Sequence, residues 1–258
     1  ALTEGDRNIT IGYSSGEALT TGSDNILIGD RTGDLATDAE GMVIIGSAAG
    51  TASITNGANG LLAIGYGAGA AVTSGAGNTL VGYAAGDAIT DGENNTVLGR
   101  HALGASVDVD QAVAIGHSAM GGGNVTSAAN GSVAIGKDAL VSLTSGIGNV
   151  AIGHQALDAE DAGSYNTAIG TTALSALNVD GTVGNVAVGY AAGRDSSTGV
   201  KNTFVGGFCG TTTVDADECV FVGYASGGDG NITSGGDGSV GVGAFALNDL
   251  TSGAENTA

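Results

Sequence analysis

Asn78–Asn94 reads NTLVGYAAGDAITDGEN, and Asn95–Gly99 opens nearly the same phrase again as NTVLG. The decisive residue in it is Gly82, which follows an aliphatic side chain. The same step recurs at Gly12, Gly29, Gly46, Gly65, Gly82, Gly99, Gly116, Gly136, Gly153, Gly170, Gly189, Gly206, Gly223 and Gly243. The spacings are 17, 17, 19, 17, 17, 17, 20, 17, 17, 19, 17, 17 and 20. Self-similarity at a fixed short period is the mark of a repeat architecture. Insertions that do not lose the phase imply a rigid coil with one tolerant loop.

Alignment on the repeat glycine exposes the grammar. The preceding residue is always Ile, Val or Leu, and the residue three before is Val, Ile, Leu or Thr. Four before stands Asn in eight copies: Asn8, Asn25, Asn78, Asn95, Asn149, Asn166, Asn185 and Asn202. Three after is always small, and four after is Gly in eight copies and Leu or Met in six. Runs such as NTLVG and NVAIG are short, β-branched and bounded by glycine and asparagine, so they read as strands. A helix is disfavoured by the short apolar run and the glycine content. One strand per coil stacks on its equivalent in the next, so identical residues form ladders. The Asn ladder could hydrogen-bond along the stack, or the Asn could serve a left-handed turn; the two roles are compatible. The expected fold is all-β: a parallel β-solenoid of about 14 coils, one per roughly 17-residue repeat, forming a single repeat domain over 1–258.

Alternation along the strand places the residues one and three before the glycine on one face and the residue between them on the other. That intermediate residue is Leu27, Ile44, Leu80, Val97, Phe204, Phe221 or, elsewhere, mostly Ala. Both faces are therefore apolar, which argues for burial on both sides. The expectation is that the intermediate residues face outward onto further copies of the chain, in closed symmetry. Partial repeat phrases at Thr3–Asn8 and Thr251–Ala258 lead to the expectation that more coils or other domains continue on both sides.

Composition narrows the function. The 258 residues include 50 Gly, no Pro and no Trp, with 42% hydrophobic and 4% aromatic residues. This suits a thin core repeated many times. Collagen is excluded, because glycine does not fall at every third residue and proline is absent. The formal charge of −20 would repel backbone phosphates and anionic lipid, so neither nucleic acid nor a membrane surface is an expected partner. The charge instead keeps a large assembly soluble. No apolar run reaches the length of a membrane span.

NTLVGYAAG, NVAIGHQAL and NVAVGYAAG resemble the repeats of phage tail fibres and related bacterial fibre proteins. Ser132–Gly136, SVAIG, is more loosely similar to the head repeats of trimeric autotransporter adhesins. The resemblance covers essentially the whole chain. It implies a homotrimer, left-handed coils, an extracellular place on a virion tail fibre or cell surface, and a role in attachment. The 17-residue coil is longer than the usual adhesin-head repeat.

Few residues suggest chemistry. A tailspike-like glycosidase would need two acids set across a bond, but the acids, among them Asp34, Asp87, Asp158 and Asp161, are spread through the variable loop with no pair marked out. No catalytic, cofactor or metal residue is assigned, and the protein is not expected to be an enzyme. Gly227–Gly230 and Gly235–Gly238 resemble glycine–aspartate calcium rolls but carry Ile232 and Val240 at the second aspartate's place. Adventitious calcium on acidic loops is the extent of the metal expectation. His117 and His154 lie two coils apart in a slot that varies too widely for a ligand set. Five of the six tyrosines, Tyr13, Tyr66, Tyr83, Tyr190 and Tyr224, follow the repeat glycine directly. They either cover the coil corner or offer platforms to cell-surface glycans. Cys209 and Cys219 bracket one loop, which fits either a local disulfide or two buried free thiols. The leading expectation is a structural shaft or head segment of a trimeric fibre. The alternative is a module that binds glycans directly through the tyrosine slot and loops.

Overall fold

The computed structural model describes residues 4–258, as two compact units, Ala1–Gly131 and Ser132–Ala258. Each is a parallel β-solenoid with almost no helix. The first unit stacks seven three-residue strands: Ile9–Ile11, Ile26–Ile28, Val43–Ile45, Leu62–Ile64, Thr79–Val81, Thr96–Leu98 and Val113–Ile115. The second stacks Val133–Ile135, Val150–Ile152, Thr167–Ile169, Val186–Val188, Thr203–Val205, Val220–Val222 and Val240–Val242. Equivalent residues pair in register, as in Leu27 with Ile44 and Phe204 with Phe221. Every coil therefore repeats the same hydrogen-bond pattern: the Ile26 N–H donates to the Met42 carbonyl of the next coil, and the Gly46 N–H to the Ile28 carbonyl of the one before, both at 2.8 Å.

The insertions are absorbed locally. Those before Gly65, Gly136 and Gly243 each hold a short 3-10 turn, at Asn56–Ala58, Ser127–Ala129 and Ser234–Gly236. The one before Gly189 instead pairs Gly181–Thr182 with Gly163–Ser164.

The asparagines form a ladder through the backbone of the next coil. The Asn78 Oδ1 accepts the Asn95 N–H at 2.9 Å, and its Nδ2 donates to the Gly92 carbonyl. In the second unit Asn202 Oδ1 accepts the Cys219 N–H at 2.9 Å while Nδ2 donates to the Ala216 carbonyl at 2.7 Å. These side chains are fully buried, so each satisfies two main-chain groups that water cannot reach. The left-handed conformation belongs to the residue before the Asn, such as Asp24 at φ 61°, Asn94 at 57° and Lys201 at 59°.

The orientation of the strand is the reverse of the sequence expectation. Leu27, Ile44, Leu80, Phe204 and Phe221 point into their own coils and are completely buried within the single chain. The residues one and three before the glycine point outward, half-buried or exposed, with Ile11 at 58% and Leu98 at 49%. Turn geometry decides this. The repeat glycine takes φ near 138°, as at Gly46 and Gly65, and positions two and four after it are left-handed in every coil. A chain turning there closes over the intermediate side chain.

In most coils the interior fills in one of two ways. Where the strand supplies Leu80, Ile44 or Phe221, the residue four after the repeat glycine is Gly86, Gly50 or Gly227. Where it supplies Ala134, Ala151 or Ala168, that later position holds Leu140, Leu157 or Leu174, all fully buried. In these coils the volume is conserved while its origin alternates, as close packing favours. The occupants are Leu or Met rather than Ile or Val, because a β-branched residue is strained at positive φ. Where both positions are small, at Ala63 with Gly69 and Ala187 with Gly193, the next coil's Leu80 or Phe204 fills the space, 2.9 and 2.6 Å from a Cβ built on the glycine.

Candidate functional site: an aromatic cleft

The slot after the repeat glycine stands outward, with Tyr13 76% exposed and Tyr66, Tyr83, Tyr190 and Tyr224 about half exposed. In the first unit Tyr66 and Tyr83 stack with ring centroids 5.2 Å apart, His101 meets the Tyr83 edge at 5.3 Å, and the Arg100 guanidinium lies 5.7 Å from the Tyr83 centroid.

In the second unit the tyrosine slot is joined by residues the sequence reading did not single out. Phe208 and Phe245 sit one position later in their coils and interleave with the tyrosines. The run Tyr190, Phe208, Tyr224, Phe245 advances by 5.0, 5.9 and 5.6 Å, each pair edge to face. That arrangement is favourable for aromatic quadrupoles. The signal lay in the sequence: where the slot after Gly206 holds Gly207 and the slot after Gly243 holds Ala244, a phenylalanine follows.

Beside this run lies a cleft of about 410 Å³, lined by Phe208, Tyr224 and Phe245 together with Arg194, Asp229 and two threonines. The Arg194 Nε and Nη2 donate to the two Asp195 carboxylate oxygens at 2.9 Å each, and this bond raises the guanidinium pKa further above its ordinary value. The Asp229 Oδ2 accepts from Asn248 Nδ2 at 2.7 Å. Thr212 Oγ1 is turned to the Gly228 carbonyl at 3.0 Å.

The cysteines are not bridged. Both are buried free thiols. Cys209 Sγ donates to the Phe221 carbonyl at 3.0 Å, and Cys219 Sγ reaches the Gly236 carbonyl at 3.4 Å. Each has taken a ladder position of the repeat, where its sulfur serves the next coil. Burial pushes the Cys209 thiol up to about 12 and raises that of Cys219.

The calcium-like loops use their aspartates internally: Asp229 binds Asn248, and Asp237 Oδ1 accepts the Asp217 N–H at 2.9 Å. Among the described residues no group of three His, Cys, Asp or Glu is placed to hold a metal ion. No helix of the described residues is long and apolar enough to cross a membrane. Asp87 and Asp158 occupy the same place in their coils, and burial raises the pKa of both. Glu160 is a fully buried carboxylate at the position that holds Leu143 and Leu177 in neighbouring repeats.

Comparison with known proteins adds nothing to this description. The chain is a parallel β-solenoid with one strand per coil; no family model, no curated protein and no solved structure matches it.

Proposed function

We propose that the chain is a non-catalytic structural segment of an extracellular fibre, built by side-by-side association of identical chains into a homotrimer. The observation that carries this is the outward strand face. In the second unit it consists of Val133, Ile135, Val150, Ile152, Thr167, Ile169 and their successors through Val242, with no charged residue among them. The first unit presents the same kind of face from Ile9 to Ile115. A row of aliphatic side chains left in water is unusual for a soluble monomer.

The repeat also favours one kind of partner. Knobs on this face recur once per coil, and only a surface of the same rise keeps register with them along a whole unit. A second copy of the chain has that rise. Acidic loops elsewhere repel one another, which confines contact to the uncharged face. The resemblance of NTLVGYAAG and NVAVGYAAG to tail-fibre and adhesin-head repeats supports the extracellular setting, the attachment role and the threefold state.

Light scattering on the purified chain tests the assembly. The expected mass is that of three 24.5 kDa chains. Ile45→Asp and Val150→Asp, each at a half-buried outward position, should dissociate it. A native protein that stays monomeric at tens of micromolar overturns the proposal.

A further inference from the structure

The cleft on the second unit combines features that the structural role leaves unused. Its volume, about 410 Å³, falls in the range of about 300–1,000 Å³ usual for small-ligand sites. Tyr224 and Phe245, at 54% and 58% exposure, hold their rings largely in water. Two of the five N–H donors of Arg194 are committed to Asp195, and one acceptor position of Asp229 is committed to Asn248. The wall therefore offers apolar ring surface, free donors and free acceptors together.

We propose that this cleft binds a neutral oligosaccharide. Charge selects the class. Asp229 and the Asp195 partner of Arg194, on a chain of net charge −20, disfavour sialylated, sulfated or phosphorylated ligands. Arg194 in the same wall disfavours the cations that aromatic clusters otherwise attract. What fits is an uncharged molecule with flat C–H faces and hydroxyls that both donate and accept. A pyranose has both: its C–H face packs on an aromatic ring, and its hydroxyls pair with Arg194 and Asp229. The aromatic run climbs in steps of 5.0, 5.9 and 5.6 Å, on the scale of single sugar rings, so the site extends from Phe245 towards Tyr190 and suits a chain of several sugars.

The test is a printed array of neutral, sialylated and sulfated oligosaccharides probed with the whole chain, with a polyproline decapeptide as a further probe. Calorimetry on the hits would follow, using the native protein and the Tyr224→Ala, Phe245→Ala and Tyr66→Ala variants. The Tyr224 and Phe245 rings are more than half exposed, so the variants should fold, and thermal unfolding checks this. Asp229→Asn, a conservative change, provides a variant that keeps every ring. The expected result is binding of a neutral oligosaccharide, weakened about tenfold or more by Tyr224→Ala or Phe245→Ala. Asp229→Asn should weaken it measurably, and Tyr66→Ala on the first unit should leave it unchanged. The proposal is overturned if no neutral glycan binds, if only acidic glycans or the peptide bind, or if Tyr66→Ala costs as much as Tyr224→Ala.

Discussion

Phe221 fills the space that a side chain at Gly227, in the same coil, would need: a Cβ built on Gly227 would lie 2.6 Å from Phe221 Cδ2. Gly86 stands in the same relation to Leu80, 2.8 Å from its Cδ2. Two positions of the repeat thus share one volume, and the relationship can be tested by exchange. Ala151→Leu overpacks a filled coil, at a cost of about 1–3 kcal/mol. Leu157→Gly opens a cavity, at a cost of about 2–5 kcal/mol. The double variant converts the coil to the type seen at Leu80 and Gly86. It should be clearly more stable than the sum of the singles, with a coupling energy within about 0.5–3 kcal/mol by urea unfolding. Strict additivity would show that the two side chains do not share space.

A repeat glycine packed against the next coil should differ sharply from a loop glycine in open space. A Cβ on Gly82, at φ 139°, would meet the Gly99 carbonyl oxygen of the next coil at 2.5 Å. Gly82→Ala combines that clash with backbone strain, itself of order 1–3 kcal/mol, and should lower the unfolding midpoint substantially. Gly60, at φ 75° with open space around it, should accept Asn with little change. Equal midpoints for Gly82→Ala and Gly60→Asn would refute the account of the coil contact.

Asn202 holds one N–H and one carbonyl of the next coil from a fully buried position. Asn202→Ala leaves both unpaired, at a cost of about 1–3 kcal/mol for each. Asn202→Asp keeps the acceptor but turns a donor into an oxygen against the Ala216 carbonyl. Its loss of stability should be larger at pH 7, where the carboxyl is charged, than at pH 3, and parallel thermal melts at the two pH values would show it.

The thiols should be silent in the native protein. Both are buried, and Cys209 is held near 12 by that burial, so thiolate is scarce at pH 8. Ellman's reagent should label neither native cysteine and both after denaturation, and reductant should not shift the electrophoretic mobility. Rapid native labelling would contradict the burial.

Glu160 gives the stability a pH slope. The Gly163 and Ala162 N–H groups donate to its Oε1 at 2.6 and 3.2 Å, but burial outweighs them and raises its pKa above the ordinary 4.5. The folded state therefore keeps this proton longer than the unfolded state. The stabilising contribution is full below 4.5, falls as pH rises through the raised folded value, and is lost above it. Glu160→Gln retains an acceptor for both N–H groups and should flatten this part of the profile. It should therefore raise the unfolding midpoint at pH 8 more than at pH 4. Asp87 and Asp158, also raised by burial, leave a residual slope of the same sign.

The period, the strand and the ladder were legible in residues such as Asn78 and Gly82, because stacking identical coils forces identical residues into line. The inner and outer faces were not read correctly, since Leu80 and Val81 are both aliphatic and alternation alone has no sign. The exchange between Leu80 with Gly86 and Ala151 with Leu157 was present in the sequence as a covariation among repeats. It would have shown which face shares a closed volume. The cleft was only half visible: the tyrosine slot announced itself, but Phe208 and Phe245 share a second position of the repeat, Arg194 and Asp229 hold two others, and they lie up to three coils apart.

By itself, then, the sequence determined that this chain is a β-solenoid of 17-residue coils, because periodicity along the chain becomes register between coils. Only the tertiary structure decided which way each side chain points and which loops meet. That choice rests on the left-handed turns after each repeat glycine, and on how each coil's volume is filled.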